Sequence, residues 1–116
     1  PEQTRLANEV IDAMITADQL CYICQTVLLE LIWVLRRAYR FPRPLFLDTL
    51  EKILLARHFE IESKDTVWRA LALLKTHNAD FSDCLISVKD QAAGCTETVT
   101  FDHQAAILDQ MRLLST

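Results

Sequence analysis

The chain has 116 residues, about the size of one domain, and 51% of them are apolar, which suffices for a hydrophobic core and excludes a disordered chain. Its net charge of −4 makes it a poor ligand for nucleic acid unless positive charge is concentrated locally or supplied by a metal ion. Because it contains a single glycine, we expect a helix-rich domain rather than an all-β domain with many tight turns.

Apolar periodicity predicts helices that alternate with strands. In chain order we expect a helix at 2–16, a strand at 20–27, helices at 27–39 and 45–57, a strand at 59–63, helices at 64–78 and 79–93, a strand at 96–101, a short helix at 102–110 and a last strand at 112–114. Strands that alternate with helices indicate a parallel sheet, so we predict one α/β domain over residues 1–116. Pro1 suits the first turn of a helix and is not an initiator Met, so we expect that a segment preceded it.

The sequence shows no signal peptide and no membrane span. The apolar run at 27–35 is interrupted by Glu30 and is much shorter than the roughly 20 residues that a transmembrane helix needs. The cysteines lack a second CxxC pair and a histidine pair, so free thiols in the core are favoured over a zinc or redox site. Free thiols suit a reducing cytoplasm, which is the expected location. The four cysteines are Cys21, Cys24, Cys84 and Cys95.

Glu30 interrupts the apolar segment TVLLELIWVLRR at residues 26–37. Its helical neighbours Thr26, Trp33 and Val34 carry no positive charge, and an unpaired buried carboxylate is energetically costly. Either Glu30 reaches solvent at the edge of the helix, or it faces a cation.

Three aspartates fit both a capping and a ligand-binding interpretation. Asp80 and Asp83 open the predicted helix at 79–93, where the N-cap and the helix dipole favour carboxylates. Asp102 follows the predicted strand at 96–101 and could cap the next helix. Ligands of open α/β sheets also lie beyond the carboxyl ends of the strands, where Asp102 and the start of the Asp83 helix are placed.

Taken in order, the segments LLELIWVLRR, ADFSDCLISV and TVTFD resemble motifs of the PIN-domain nucleases, especially the VapC-type toxins of bacterial toxin–antitoxin pairs. The resemblance covers essentially the whole chain. It implies a three-layer α/β fold, with a parallel sheet flanked by helices, and cleavage of single-stranded RNA by Mg²⁺ or Mn²⁺. It implies that Glu30, Asp83 and Asp102 are catalytic and that these three residues and Asp80 hold the metal. We expect the three catalytic carboxylates to converge within roughly 4–8 Å, so that one ion and its waters can bridge them.

The resemblance also implies that one element is missing. The first acid of the family is an Asp on an N-terminal strand, usually followed by Thr or Ser and then Asn, and no such segment occurs here. We therefore expect a PIN-like domain without its first strand, whose place is flanked by the strands near 20–26 and 96–101. The resemblance implies a cognate antitoxin protein as partner and a homodimer, for which the apolar helices at 2–16 and 45–57 are candidates.

Arginines and aromatic residues alternate in RRAYRFPR at residues 36–43. Such a mixture suits RNA phosphates and stacked bases, but it equally suits a solvated helix end whose cations complement the helix dipole. The candidate RNA-binding residues are Arg36, Arg37, Arg40 and Arg43.

Two other functions remain open. A catalytically inactive PIN-like interaction module would keep the fold only to bind a partner, and the missing Asp favours it for this chain. A phosphoacceptor domain of the receiver type also combines an α/β fold with clustered acids, but the sequence shows no acceptor Asp closing a strand with a downstream Lys motif.

Overall fold

A computed structural model describes residues 2–115 of the chain. Within this range it contains α1 (Glu2–Thr16), β1 (Cys21–Ile23), α2 (Gln25–Arg37), α3 (Arg43–Leu55), β2 (Phe59–Ile61), α4 (Lys64–Thr76), α5 (Phe81–Ala92), β3 (Thr98–Thr100), a 3₁₀ helix (Ala105–Ile107) and β4 (Met111–Leu113). The predicted order of helices and strands is confirmed. Over the described residues, no helix is both long enough and apolar enough to cross a lipid bilayer.

The boundary between β1 and α2 differs from the prediction, which extended the strand to residue 27. The strand ends at Ile23 and the helix begins at Gln25. The Gln25 backbone N–H, which has no partner within the helix, donates to the Glu62 carboxylate at 2.8 Å. The Glu62 side chain, which is distant in the chain, therefore caps the helix at Gln25. Local apolar spacing does not reveal this cap, so it predicts a later helix start.

The strands pair in parallel, as predicted, but they form two separate pairs. β1 pairs with β2 in the register Cys21↔Phe59, and β3 pairs with β4 in the register Thr98↔Met111. Among the described residues no hydrogen-bonded strand joins the two pairs, so β1 and β3 have not closed up on each other. Each pair therefore leaves strand edges open, and an open edge can accept a further strand.

The core lies among α2, α3, α4 and α5 and the underside of the strands. Its side chains recur three and four residues apart on each helix, which places them on one face. The fully buried ones include Leu28, Leu50, Leu54, Val67, Leu71, Leu74, Cys84 and Leu85. Cys84 is thus a core residue, and all four cysteines are free thiols. Burial raises the pKa of the Cys84 thiol to about 11, so it stays protonated and unreactive at neutral pH.

α1 differs from the other helices because much of its apolar surface is exposed. Leu6, Val10 and Ile15 are between 48% and 63% exposed. The segment after α1 is linked to the approach to β2 by an ion pair of 2.9 Å between Arg57 and Asp18.

Candidate active site

A cleft of about 520 Å³ opens between α2, the start of α3 and the segment that leads into α5. Its floor is apolar and consists of side chains from the core, namely Ile32, Phe46, Leu74, Ala79 and Phe81. Its rim is polar, with carboxylates from Glu30 and Asp80 and guanidinium groups from Arg36, Arg37 and Arg43. The cleft therefore combines an apolar base with charges of both signs.

α2 places Glu30 on the rim because the helix has two distinct faces. Leu28 and Ile32 are buried on the core face. Glu30 and Trp33 are exposed and line the cleft. Within residues 2–115, the Glu30 carboxylate has no hydrogen-bond or ion-pair partner. Glu30 is thus open to the cleft, and its role as a ligand of a cation there stays a prediction.

Trp33 is the functional candidate that sequence reasoning missed. It was treated as one apolar residue in a run, but its side chain is 61% exposed on the cleft wall. The available signal was its position three residues after Glu30, which places both side chains on one face of a helix.

Asp80 occupies the predicted N-cap of α5, with extended backbone and a carbonyl that accepts from Cys84 N at 3.1 Å. Its side chain makes no capping hydrogen bond, contrary to the capping interpretation. The Asp80 carboxylate instead lies on the cleft rim. Asp83 follows in the first turn of α5 and is half-buried.

Asp102 lies two residues after β3, in a turn that brings it towards α5. Its carboxylate accepts a hydrogen bond of 2.9 Å from the Gln104 backbone N–H, while its own N–H donates to Thr100 Oγ1 at 3.0 Å. The Gln104 side chain donates to the Asn78 carbonyl at 3.1 Å and so ties this turn to the segment before α5. The capping interpretation of Asp102 is correct, although it caps a turn and not a helix of the predicted length.

Asp83 is close enough to Asp102 and Asp80 for their charges to affect its pKa. Burial raises the pKa of Asp83, and the neighbouring carboxylates of Asp102 and Asp80 raise it further. The charged form of Asp83 is thus unfavourable, which is typical of acids that await a cation. Glu30 lies on the cleft rim together with Asp80, and this shared position is what relates it to the three aspartates.

The donor chemistry fits a hard divalent ion. Carboxylate oxygens are the preferred ligands of Mg²⁺, which is usually held by one or two carboxylates together with waters and substrate phosphates. Across residues 2–115, however, no group of three or more His, Cys, Asp or Glu side chains is placed to hold a metal ion. A shared site with Glu30, Asp83 and Asp102 as joint ligands stays a prediction.

Two of the four candidate arginines are engaged within the fold. The Arg43 guanidinium donates to the Leu74 carbonyl and, at 2.8 Å, to the His77 carbonyl. These hydrogen bonds satisfy carbonyl oxygens at the C-terminal end of α4. The Arg36 guanidinium donates to the Phe41 carbonyl at 3.2 Å and lies 5.3 Å from the centroid of the Phe46 ring.

The other two arginines differ in their relation to the cleft. Arg37 is exposed and lines it, and its guanidinium has no partner in the described part of the chain. Arg40 is exposed but does not line the cleft, and its backbone has a positive φ of 52°. Arg37 is therefore the arginine best placed to contact a ligand in the cleft.

The raised pKa of Asp83 predicts a pH dependence of stability. A carboxyl whose pKa is raised above its usual 3.8 holds its proton more tightly in the folded than in the unfolded state. Its contribution to stability is greatest below the usual pKa and is lost as the pH rises through the raised value. Relative to Asp83→Asn, which does not titrate, the wild type should lose a few degrees of melting temperature over this range.

Thermal melts of both proteins by circular dichroism, in EDTA and between about pH 3 and pH 7, measure this difference. A wild type that gains stability relative to Asp83→Asn as the pH rises would contradict the assigned direction of the pKa shift.

Comparison with known proteins agrees with this architecture. The PIN domain family model matches residues 3–110. A relative described as a VapC ribonuclease, from Aquifex aeolicus (strain VF5), is 26% identical over 103 residues, which is 89% of this chain and 76% of the relative. No solved structure matches the chain significantly. Because the family model spans nearly the whole chain, the protein belongs to the PIN-domain family.

Proposed function

We propose that this protein is a metal-dependent endoribonuclease that cuts single-stranded RNA and serves as the toxin of a type II toxin–antitoxin pair. The observation that carries the proposal is that Asp83 lies near Asp102 and near Asp80, which lines the cleft, so that burial and repulsion from these two charges raise the pKa of Asp83. Such repulsion is relieved when a cation binds. Membership of the PIN family and the relative described as a ribonuclease support the same activity.

The four acids have separate roles in this proposal. Asp80, Asp83 and Asp102 would hold Mg²⁺ or Mn²⁺ through carboxylate oxygens, and Glu30, which lines the cleft with Asp80, would be the fourth acid of the set. A bound divalent ion supplies Lewis-acid chemistry and a more acidic water. Asp83, Asp102 and Glu30 are the catalytic residues, and the unpaired carboxylate of Glu30 is available to orient a water beside the scissile phosphate.

The arginines on the cleft rim offset the acidity of the protein. A net charge of −4 repels RNA, so a local positive region is needed to hold the phosphates. Arg37 provides an unpaired guanidinium on the cleft rim, and the neighbouring Arg36 adds a second positive charge there. Arg43 is committed to backbone carbonyls and has a structural role, while Arg40 lies outside the cleft.

Removal of divalent ions tests this function. With the intact natural protein, EDTA should lower the rate of cleavage of single-stranded RNA by roughly a hundredfold or more, because metal catalysis is worth several kcal/mol. Addition of Mg²⁺ or Mn²⁺ in excess over EDTA should restore it. Gel analysis of end-labelled RNA measures the rates, and cleavage that continues unchanged in EDTA would rule out the metal mechanism.

The proposed partners are a cognate antitoxin protein and a second copy of the chain. The exposed apolar side chains of α1, which include Leu6 and Val10, support a protein interface on that helix. Location in the cytoplasm and dimerisation stay predictions.

A second candidate is a catalytically inactive PIN-like interaction module. Its support is that residues 2–115 contain no group of three or more His, Cys, Asp or Glu side chains placed to hold a metal ion. For such a module, the intact protein would bind the antitoxin but would cleave no RNA with either metal.

A further inference from the structure

We propose that Trp33 and Arg37 form a nucleotide subsite beside the acids, in which an RNA base stacks on the indole and a phosphate binds the guanidinium. The inference rests on the proposed function, since it takes single-stranded RNA as the ligand of the cleft. It assigns the positioning of the RNA strand to one exposed face of α2.

The exposure of Trp33 is the first observation. Its neighbour Ile32 is 8% exposed, whereas Trp33 is 61% exposed although it is the larger apolar side chain. Both line the cleft, so an open indole stands next to a buried apolar floor. A base can stack on such an indole without reading a particular sequence, because every base has a π-face.

The second observation is that Arg37 follows Trp33 by four residues, one helical turn further along α2. Its guanidinium has no partner within the described residues, whereas those of Arg36 and Arg43 donate to backbone carbonyls. An unengaged guanidinium on a cleft wall is suited to bind a phosphate oxygen, with no internal hydrogen bond to break.

The spacing along α2 matches a short piece of RNA. At about 1.5 Å per residue, Trp33 lies about 4.5 Å and Arg37 about 10.5 Å along the helix from Glu30. At about 3.4 Å per nucleotide, the axial rise of one strand in a stacked duplex, the distance of about 10.5 Å from Glu30 to Arg37 corresponds to about three nucleotides. A strand whose scissile phosphate lies near Glu30 would therefore place an adjacent base at Trp33 and a further phosphate at Arg37.

RNA explains the pair of side chains better than a peptide does. A nucleotide carries a flat ring and a negative charge at a short, fixed separation, and Trp33 and Arg37 offer the complementary groups at one turn of helix. An apolar peptide side chain would use the floor of the cleft, but it would leave the Arg37 guanidinium without a counter-charge.

The test measures binding separately from cleavage. The intact natural protein is titrated with a random-sequence 12-nucleotide RNA, in Ca²⁺ and with a gel check that the RNA stays intact, and affinity is read by filter binding. We expect Trp33→Ala to weaken binding by about tenfold or more, the usual loss for one stacked base, and Trp33→Phe to retain most of the affinity. Tyr39→Ala, which removes an aromatic side chain that is 68% exposed outside the cleft, should change nothing.

Two further readouts separate stacking from a general structural effect. RNA should quench the tryptophan fluorescence of the wild type, and the quenching should disappear in Trp33→Phe although binding persists. Arg37→Gln should reduce the salt dependence of binding by about 0.7 in the log–log slope, the value for one phosphate of a single strand, and Arg40→Gln should not.

The outcomes distinguish this inference from the proposed function. Unchanged affinity in both Trp33→Ala and Arg37→Gln overturns the subsite, even if the wild type cleaves RNA. RNA binding that depends on Trp33 in a protein that cleaves nothing supports the subsite and overturns the nuclease. If Trp33→Ala weakens only the binding of a protein partner, the cleft is a peptide site and the inference is wrong.

Discussion

Replacement of Asp83 by asparagine should lower the rate of Mg²⁺-dependent RNA cleavage by about a hundredfold or more. Mutation of a residue that only hydrogen-bonds to a metal ligand already costs about 10–100-fold, and Asp83 is proposed to be a ligand itself. Asp83 is half-buried, and burial and the charges of Asp102 and Asp80 raise its pKa, so a bound cation would favour its charged form. Asparagine keeps the size of the side chain, and the fold should persist. Single-turnover rates on end-labelled RNA, together with circular dichroism spectra, measure both effects.

Asp65→Asn is the matched control. Asp65 stands in the first turn of α4 as Asp83 stands in the first turn of α5, so both experience a helix dipole, but Asp65 is exposed whereas Asp83 is half-buried. The Asp65→Asn variant should cleave RNA at the wild-type rate. Wild-type cleavage by Asp83→Asn would remove Asp83 from the catalytic site, and equal losses in both variants would point to helix stability instead.

Truncation of Leu28 to alanine should lower the free energy of unfolding by about 2–5 kcal/mol, the range for large-to-small changes in a close-packed core. Leu28 is 0% exposed and lies on the core face of α2, where it anchors the helix that carries Glu30 and Trp33. Urea unfolding should show a lower midpoint with an unchanged slope.

Val27→Ala provides the control for this prediction. Val27 adjoins Leu28 on the same helix but is 52% exposed, and a surface substitution usually changes stability by less than about 0.5 kcal/mol. A Leu28→Ala variant no less stable than Val27→Ala would show that α2 is not held by the core as described.

The helices depend on local sequence, and this explains where prediction succeeded. α1 was expected at residues 2–16 and is found at Glu2–Thr16, and α4 starts at Lys64 as predicted. Their apolar spacing of three and four residues is a property of neighbouring residues. The start of α2 was predicted two residues late, because its first N–H is capped by Glu62, a partner distant in the chain.

The positions of the acids follow from local sequence, whereas their grouping was expected only from the family resemblance. The sequence places Asp80 and Asp83 at a helix start and Asp102 after a strand, but of Asp80 and Asp102, both interpreted as caps, only Asp102 makes a capping hydrogen bond. Their meeting depends on the turn after β3, which Gln104 ties to Asn78. Whether Glu30 shares an ion with them stays a prediction.

By itself, the sequence determined the order of helices and strands and the types of side chain available for metal and RNA chemistry. The tertiary structure alone decided which of these side chains are free to act. Arg36 and Arg37 are adjacent in the chain, but packing brings the guanidinium of Arg36 to the Phe41 carbonyl and the Phe46 ring, while that of Arg37 stays open to the cleft. The physical reason is that periodicity is a property of neighbouring residues, whereas burial and hydrogen-bond partners depend on groups that only folding brings together.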